Sequence, residues 1–225
     1  DRGTSVVPNR LSPSPRPAVP PSLPVYLKPL AMAETGVAAA LQRQLRAPSA
    51  IAGFYGQARW DQVFAHLEQR RDLRLTARQQ QAVQLALTQK VSVLTGGPGT
   101  GKTTILRMVV QLTLSRGYRP LLASPTGRAA KRLSEVTGAE AKTIHRLLEY
   151  APGGGGSFKR GAERPLECEL LVVDEVSMLD VLLANHLLKA LPPQAHLLLV
   201  GDADQLPSVG PGRVLGDLLT SGAMP

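Results

Sequence analysis

Gly96-Gly97-Pro98-Gly99-Thr100-Gly101-Lys102-Thr103-Thr104 follows an apolar run (Val91, Val93, Leu94) and leads into an amphipathic one (Ile105, Leu106, Met108, Val109, Leu112). That order reads as strand, glycine-rich loop, helix, which is the context the spacing Gly-x-x-x-x-Gly-Lys-Thr needs to hold phosphates. Glycines let successive backbone N–H groups turn inward around an anion, and the positive end of the helix beginning near Lys102 adds to the site. Gly97, Pro98, Gly99, Thr100, Gly101, Lys102, Thr103 and Thr104 are therefore expected to form a phosphate cradle. Lys102 would place its ammonium between the β- and γ-phosphates, and the Thr103 hydroxyl would take one coordination site of Mg²⁺.

Two further apolar runs end in polar groups. Leu170-Leu171-Val172-Val173 runs into Asp174-Glu175, and Leu197-Leu198-Leu199-Val200 runs into Gly201-Asp202-Ala203-Asp204-Gln205-Leu206-Pro207. Polar groups at the carboxyl end of buried parallel strands lie on the edge where open α/β sheets bind ligands. Asp174 is expected to hold Mg²⁺, directly or through water, and Glu175 to orient and deprotonate an attacking water. Gln205 is the candidate sensor of a γ-phosphate. Asp202 either joins the site or caps the following turn, as Asp often does.

Upstream, Leu75-Thr76-Ala77-Arg78-Gln79 begins a helix with Thr76 as its N-cap, continuing to about Thr88. Its glutamines fit a solvated surface. Standing just before the loop strand, Gln79 can alternatively offer donor and acceptor to adenine, which would make the nucleotide ATP. Downstream, the pattern predicts a strand Pro120–Ala123, a helix over 126–133 opening at Pro125, a short helix over 143–149 and a glycine-rich excursion. After the acidic strand come a helix over 178–191, the strand ending at Val200 and a last helix from about Arg213. Strands alternating with helices imply a parallel sheet covered on both faces. No internal repeat is present.

The 225 residues suffice for one sizeable domain with or without a smaller appendage. Residues 1–29 are rich in proline (Pro8, Pro13, Pro15 and Pro17 among them) without hydrophobic periodicity, and read as a linker, a docking ligand or the end of a truncated domain. From Leu30 to before Pro48, and again over 60–68, helical faces mark a small N-terminal element spanning 30–74, followed by the nucleotide domain from 75 to 225. Lys plus Arg exceed Asp plus Glu by 26 to 17, giving +9, which suits a polyanionic partner. Aromatic side chains are few, so backbone contacts should dominate over base stacking. Cys168, the single cysteine, excludes an intramolecular disulfide and reads as structural. No run of about 18 apolar residues and no signal-peptide core occur, which leads us to expect a cytoplasmic protein without a membrane partner.

Taken together, these motifs resemble superfamily 1 helicases of the RecD-like type. The Gln79 helix is similar to the family's Q motif, Gly96 to Thr104 to motif I, Ala123-Ser124-Pro125-Thr126-Gly127-Arg128-Ala129-Ala130 to motif Ia, Asp174-Glu175 to motif II, and Gly201 to Pro207 to motif III. Thr143-Ile144-His145-Arg146 resembles a short DNA-facing motif. The resemblance implies a RecA-like first motor domain of an ATP-dependent DNA helicase moving 5′ to 3′ on single-stranded DNA and opening duplex junctions. It implies that Ser124, Pro125, Thr126, Arg128 and Lys131 face DNA, with Thr143 and His145 near it. A helix N-terminus at Pro125 and Thr126 can hold a phosphate; alternatively Arg128, Lys131 and Arg132 form a solvated helix face. In such enzymes the place of residues 150–167 carries a hairpin that splits the duplex, and Phe158, Lys159 and Arg160 would sit near its tip. The chain stops at Pro225, after motif III, so the resemblance leads us to expect a partner second RecA-like domain outside it, and weak binding and hydrolysis of nucleotide by this part alone. A nucleotide-switched DNA-binding or regulatory ATPase that does not unwind is the alternative. A small-molecule kinase would leave motifs Ia and III unexplained.

Overall fold

A computed structural model describes residues 27–71, 74–153 and 156–223. Most of the proline-rich segment, residues 1–26, lies outside the described residues, as do two glycines of the run after Ala151.

Three helices open the described chain: α1 (Lys28–Arg46), α2 (Ala50–Tyr55) and α3 (Trp60–Arg71). Pro29 falls in the first turn of α1, where its missing N–H costs nothing. Two of these helices were legible in the sequence; α2, six residues long and carrying Gly53 in its interior, was not. α4 (Ala77–Thr88) starts on a capping box in which the Thr76 hydroxyl accepts from the Gln79 amide and the Gln79 side chain accepts from the Thr76 N–H.

The nucleotide domain continues as β1 (Val91–Thr95), α5 (Lys102–Ser115), β2 (Pro120–Ser124), α6 (Gly127–Thr137), β3 (Ala141–Thr143), α7 (Ile144–Leu147), the short β4 (Tyr150–Ala151) and β5 (Ser157–Phe158), β6 (Leu170–Val173), α8 (Val181–Ala190), β7 (His196–Gly201) and α9 (Val214–Ser221). Five strands form one parallel sheet in the order β1-β7-β6-β2-β3. The expected α/β architecture holds. Three boundaries differ from expectation, each through a cap. Thr126 stands outside α6 and accepts from the Ala129 N–H at 3.3 Å; Thr143 likewise caps α7. The expected helix over 178–191 divides into a 3-10 turn at Val176–Met178 and α8, whose cap is Asp180.

Side-chain alternation splits the buried strands between two cores. Leu171, Val173, Leu197 and Leu199 face α1, α8 and α9. Leu170, Val172, Leu198 and Val200 face the layer formed by α2 through α6. All ten residues of β6 and β7 are buried, the pattern of central parallel strands. The N-terminal helices thus divide between the two layers. α1 lies along α8, with Gln44 Nε2 donating to the Pro192 carbonyl at 3.0 Å, while α2 packs on α4. β4 and β5 form a separate antiparallel pair, the base of the expected hairpin.

Candidate active site

The loop after β1 turns back through glycines that no other residue replaces without strain. Gly99 and Gly101 have φ of 77° and 88°, and a Cβ at Gly101 would collide with Nε2 of Gln79. Gly101 is also the N-cap of α5, so Lys102 and Thr103 occupy its first turn. Lys102 Nζ donates to the carbonyls of Gly96 and Gly97, and Thr100 Oγ1 donates to that of Gly97 at 2.9 Å.

A cavity of about 340 Å³ opens over this loop at the carboxyl edge of the sheet. Gly97 through Thr103 line one wall; Asp174, Glu175, Asp202 and Gln205 line another. Lys102, Asp174, Glu175 and Gln205, read from three separate stretches of sequence, therefore meet in one site. Asp174 Oδ1 accepts from the Glu175 N–H at 2.9 Å. Burial pushes the Asp174 carboxyl up, against the pull of that N–H and of the Lys102 and Arg132 charges. Glu175 adopts the left-handed region, φ 57° and ψ 42°, a conformation a β-substituted residue holds only when its surroundings impose it. Asp202 satisfies both readings: it lines the cavity, and its Oδ1 accepts from the Asp204 N–H at 3.0 Å to close the turn.

Thr103 and Asp174 offer a hydroxyl and a carboxylate to the same space. Hard oxygen donors in that number suit a divalent cation whose remaining ligands are phosphate and water. Among the described residues no group of three or more His, Cys, Asp or Glu gathers into a protein-only metal cage.

Several expected contacts are displaced. Thr104 faces a separate cleft between α5 and α6, because each helical residue turns about 100° from the last. Gln79 touches the phosphate loop at Gly101 but does not line the cavity, and its Oε1 is engaged by the capping box. Ser124, expected to face DNA, is wholly buried. Pro125 and Thr126 are half-buried; Arg128 and Lys131 are exposed, the latter 4.0 Å from Glu135. The Thr143 hydroxyl accepts from the Arg146 N–H at 3.2 Å. His145 packs on Tyr150 and Phe158, with ring centroids 5.5 and 5.7 Å away.

Phe158 and Arg160 are not at the hairpin tip. Phe158 pairs with Tyr150 and lies against His186 at 4.7 Å, and Arg160 binds the Glu149 carboxylate at 2.6 Å. The register places the tip between Ala151 and Ser157, leaving Lys159 as an exposed cation at the base. Cys168 is buried, and burial pushes its thiol up to about 12, in keeping with a structural role.

Two site residues escaped the sequence reading. Arg132 shares a stripe of α6 with Ala129, Leu133 and Val136 and reaches the cavity. Ser177 donates to Gln205 Oε1 at 3.0 Å. Helix phase would have found the first; nothing in the sequence pairs the second.

The fold and the cavity define a P-loop nucleotide-binding domain. A family model described as an AAA domain matches residues 79–211, more than half of the chain, and the chain belongs to that family. It is 52% identical over 126 residues to the ATP-dependent RecD2 DNA helicase of Deinococcus radiodurans, covering 56% of this chain and 17% of the relative. It is 42% identical over 164 residues to the RecBCD enzyme subunit RecD of Mycobacterium tuberculosis, covering 63% and 28%. The crystal structure of Pif1 helicase from Candida albicans matches with a TM-score of 0.46 at 26% identity, covering 61% of this chain and 34% of that one. The chain spans less than a third of the length of these curated relatives. Among the described residues no helix is long and apolar enough to cross a membrane.

Proposed function

We propose that this chain is the first motor lobe of a cytoplasmic ATP-dependent DNA helicase, coupling ATP hydrolysis to 5′ to 3′ movement on single-stranded DNA and to duplex unwinding. The observation that carries the reading is the single cavity holding Lys102, Thr103, Asp174, Glu175 and Gln205. Gly97 through Gly101 surround the phosphates with backbone N–H groups, and Lys102 moves from the loop carbonyls to the β- and γ-phosphates. Thr103 and Asp174 would hold Mg²⁺, which would supply charge neutralisation at the phosphates. Glu175, fixed by its unusual backbone conformation, orients the attacking water and accepts its proton. Gln205 reports the γ-phosphate, with Ser177 steadying its amide.

Resemblance to RecD2 and RecD supports DNA as the polyanion, and the exposed Arg128, Lys131 and Lys159 suit contacts to its backbone. Leu206 and Val209 stand almost fully exposed just beyond Gln205. Apolar side chains at the rim of a nucleotide cavity suit a second RecA-like lobe that closes over it and supplies arginines to the transferring phosphate.

The test is ATP hydrolysis by the full-length polypeptide that carries this lobe, with and without single-stranded DNA, using Lys102→Ala as control. DNA stimulation lost in the variant supports the motor. A Lys102-dependent rate indifferent to DNA points instead to a regulatory ATPase. Unwinding of forks with a 5′ rather than a 3′ tail checks the direction.

A further inference from the structure

Ser124 ends β2 with its side chain wholly buried and its hydroxyl without a hydrogen-bond partner. Buried polar groups are almost always paired, so an orphaned hydroxyl calls for a reason. Its position supplies one. The β2–β6 register pairs Leu122 with Val172 and Ala123 with Val173, and the Asp174 N–H continues the ladder by donating to the Ala123 carbonyl at 2.9 Å. One step further, Ser124 stands beside Asp174. Alternation puts both on the face of Leu122, Leu170 and Val172, the face that packs against α5 and carries the phosphate loop. Ser124 does not line the cavity; it lies behind a residue that does. Ser92, also unpaired, sits near the start of β1, at the other end of the sheet.

Asp174 takes one hydrogen bond from the Glu175 N–H. A carboxylate has about four acceptor sites, so it can accept a second donor while still ligating a cation. We propose that Ser124 is a positioning residue for the metal: its hydroxyl donates to the Asp174 carboxylate when that carboxylate holds the divalent cation, fixing its orientation toward Thr103. The inference rests on the nucleotide-site reading above. Outer-shell donors of this kind change metal affinity by about 10- to 100-fold.

The experiment uses the 225-residue chain with Ser124→Ala and the isosteric pair Ser124→Thr and Ser124→Val. Binding of mant-ADP is measured across a Mg²⁺ titration and again in EDTA, and melting is followed without ligand. Ser124→Ala and Ser124→Val are expected to raise the Mg²⁺ concentration for half-saturation about tenfold, with Ser124→Thr close to wild type and the EDTA affinity unchanged. Ser124→Ala should also melt no lower than wild type, because it deletes a hydroxyl that makes no bond in the ligand-free protein; a merely structural serine would behave in the opposite way. Mg²⁺ half-saturation within about twofold of wild type in both Ala and Val variants overturns the proposal, as does a Thr variant that loses as much as Val. Equal mant-ADP binding by wild type and Lys102→Ala would overturn the nucleotide-site reading itself, and this inference with it.

Discussion

Glu175 holds a backbone conformation worth roughly 1–3 kcal/mol of strain, separated by Asp174 alone from the last of four buried strand residues. Alternation would put an extended residue 175 on the face opposite Asp174; with the left-handed turn, Glu175 lines the same cavity as Asp174. If that carboxylate is the base, Glu175→Gln keeps the shape, removes the proton acceptor and lowers the rate of ATP hydrolysis about 10²- to 10⁴-fold, while mant-ADP affinity stays within a few-fold. Loss of binding in step with rate would assign Glu175 to nucleotide retention instead. Lys102, Asp174, Glu175 and Gln205 were legible because glycine spacing and strand-end polarity are local signals. The burial of Ser124 and the reach of the exposed Arg132 into the cavity were not legible, since they depend on strand register and helix phase, which adjacent residues do not encode. Phe158 and Arg160 were placed at a tip for a similar reason: the hairpin register is set by pairing with Tyr150 and by the Glu149 carboxylate, not by the glycines between.

At the level of elements, the strands were readable because an unbroken apolar run of four to six residues has few places to go but the centre of a parallel sheet. The division of the N-terminal helices was not, because amphipathic faces do not say which layer they join. Gly36 shows how closely α1 meets α8: a Cβ there would press into Oδ1 of Asn185, itself buried and without a partner. Gly36→Ala alone should therefore destabilise the chain by about 1–3 kcal/mol through overpacking. In an Asn185→Ala background the same change should stabilise by up to about 1 kcal/mol, because the space is free and alanine is the better helix former. Urea denaturation of the four proteins of this cycle reads the coupling directly. Equal effects in both backgrounds would mean that α1 does not rest on α8 through this contact.

For the molecule as a whole, His196 ties the two edges of one core together. The Ala86 carbonyl can only accept, so Nε2 carries the proton and donates to it at 2.8 Å; Nδ1 then accepts from the Ser49 hydroxyl at 3.0 Å. One buried imidazole on β7 thus joins α4 and the cap of α2, since Ser49 also accepts from the Ala52 N–H. Burial holds His196 down at about 4, from an ordinary value near 6.5. The folded chain then refuses a proton that the unfolded chain binds, so the stability from this group is complete above about pH 6.5 and declines as pH falls toward 4. The full loss is roughly 3 kcal/mol, accumulating at no more than about 1.4 kcal/mol per pH unit. Asp174, held up by burial, acts in the opposite direction: its contribution is present below its ordinary value and fades as pH rises through its raised one. Glu149 and Glu169, held down by Arg160 and Arg119, lose stability only below the usual carboxylate range. His186, also held below its ordinary value by burial, acts in the same direction as His196 between pH 6.5 and 5, so the share of His196 is read as the difference between wild type and a non-titrating variant. Denaturation across that interval should show a slope that falls by close to one proton in His196→Gln, whose amide keeps a donor and an acceptor but does not titrate. A wild-type slope undiminished in His196→Gln would place the titrating group elsewhere and leave the imidazole as a neutral peg between α4 and the cap of α2.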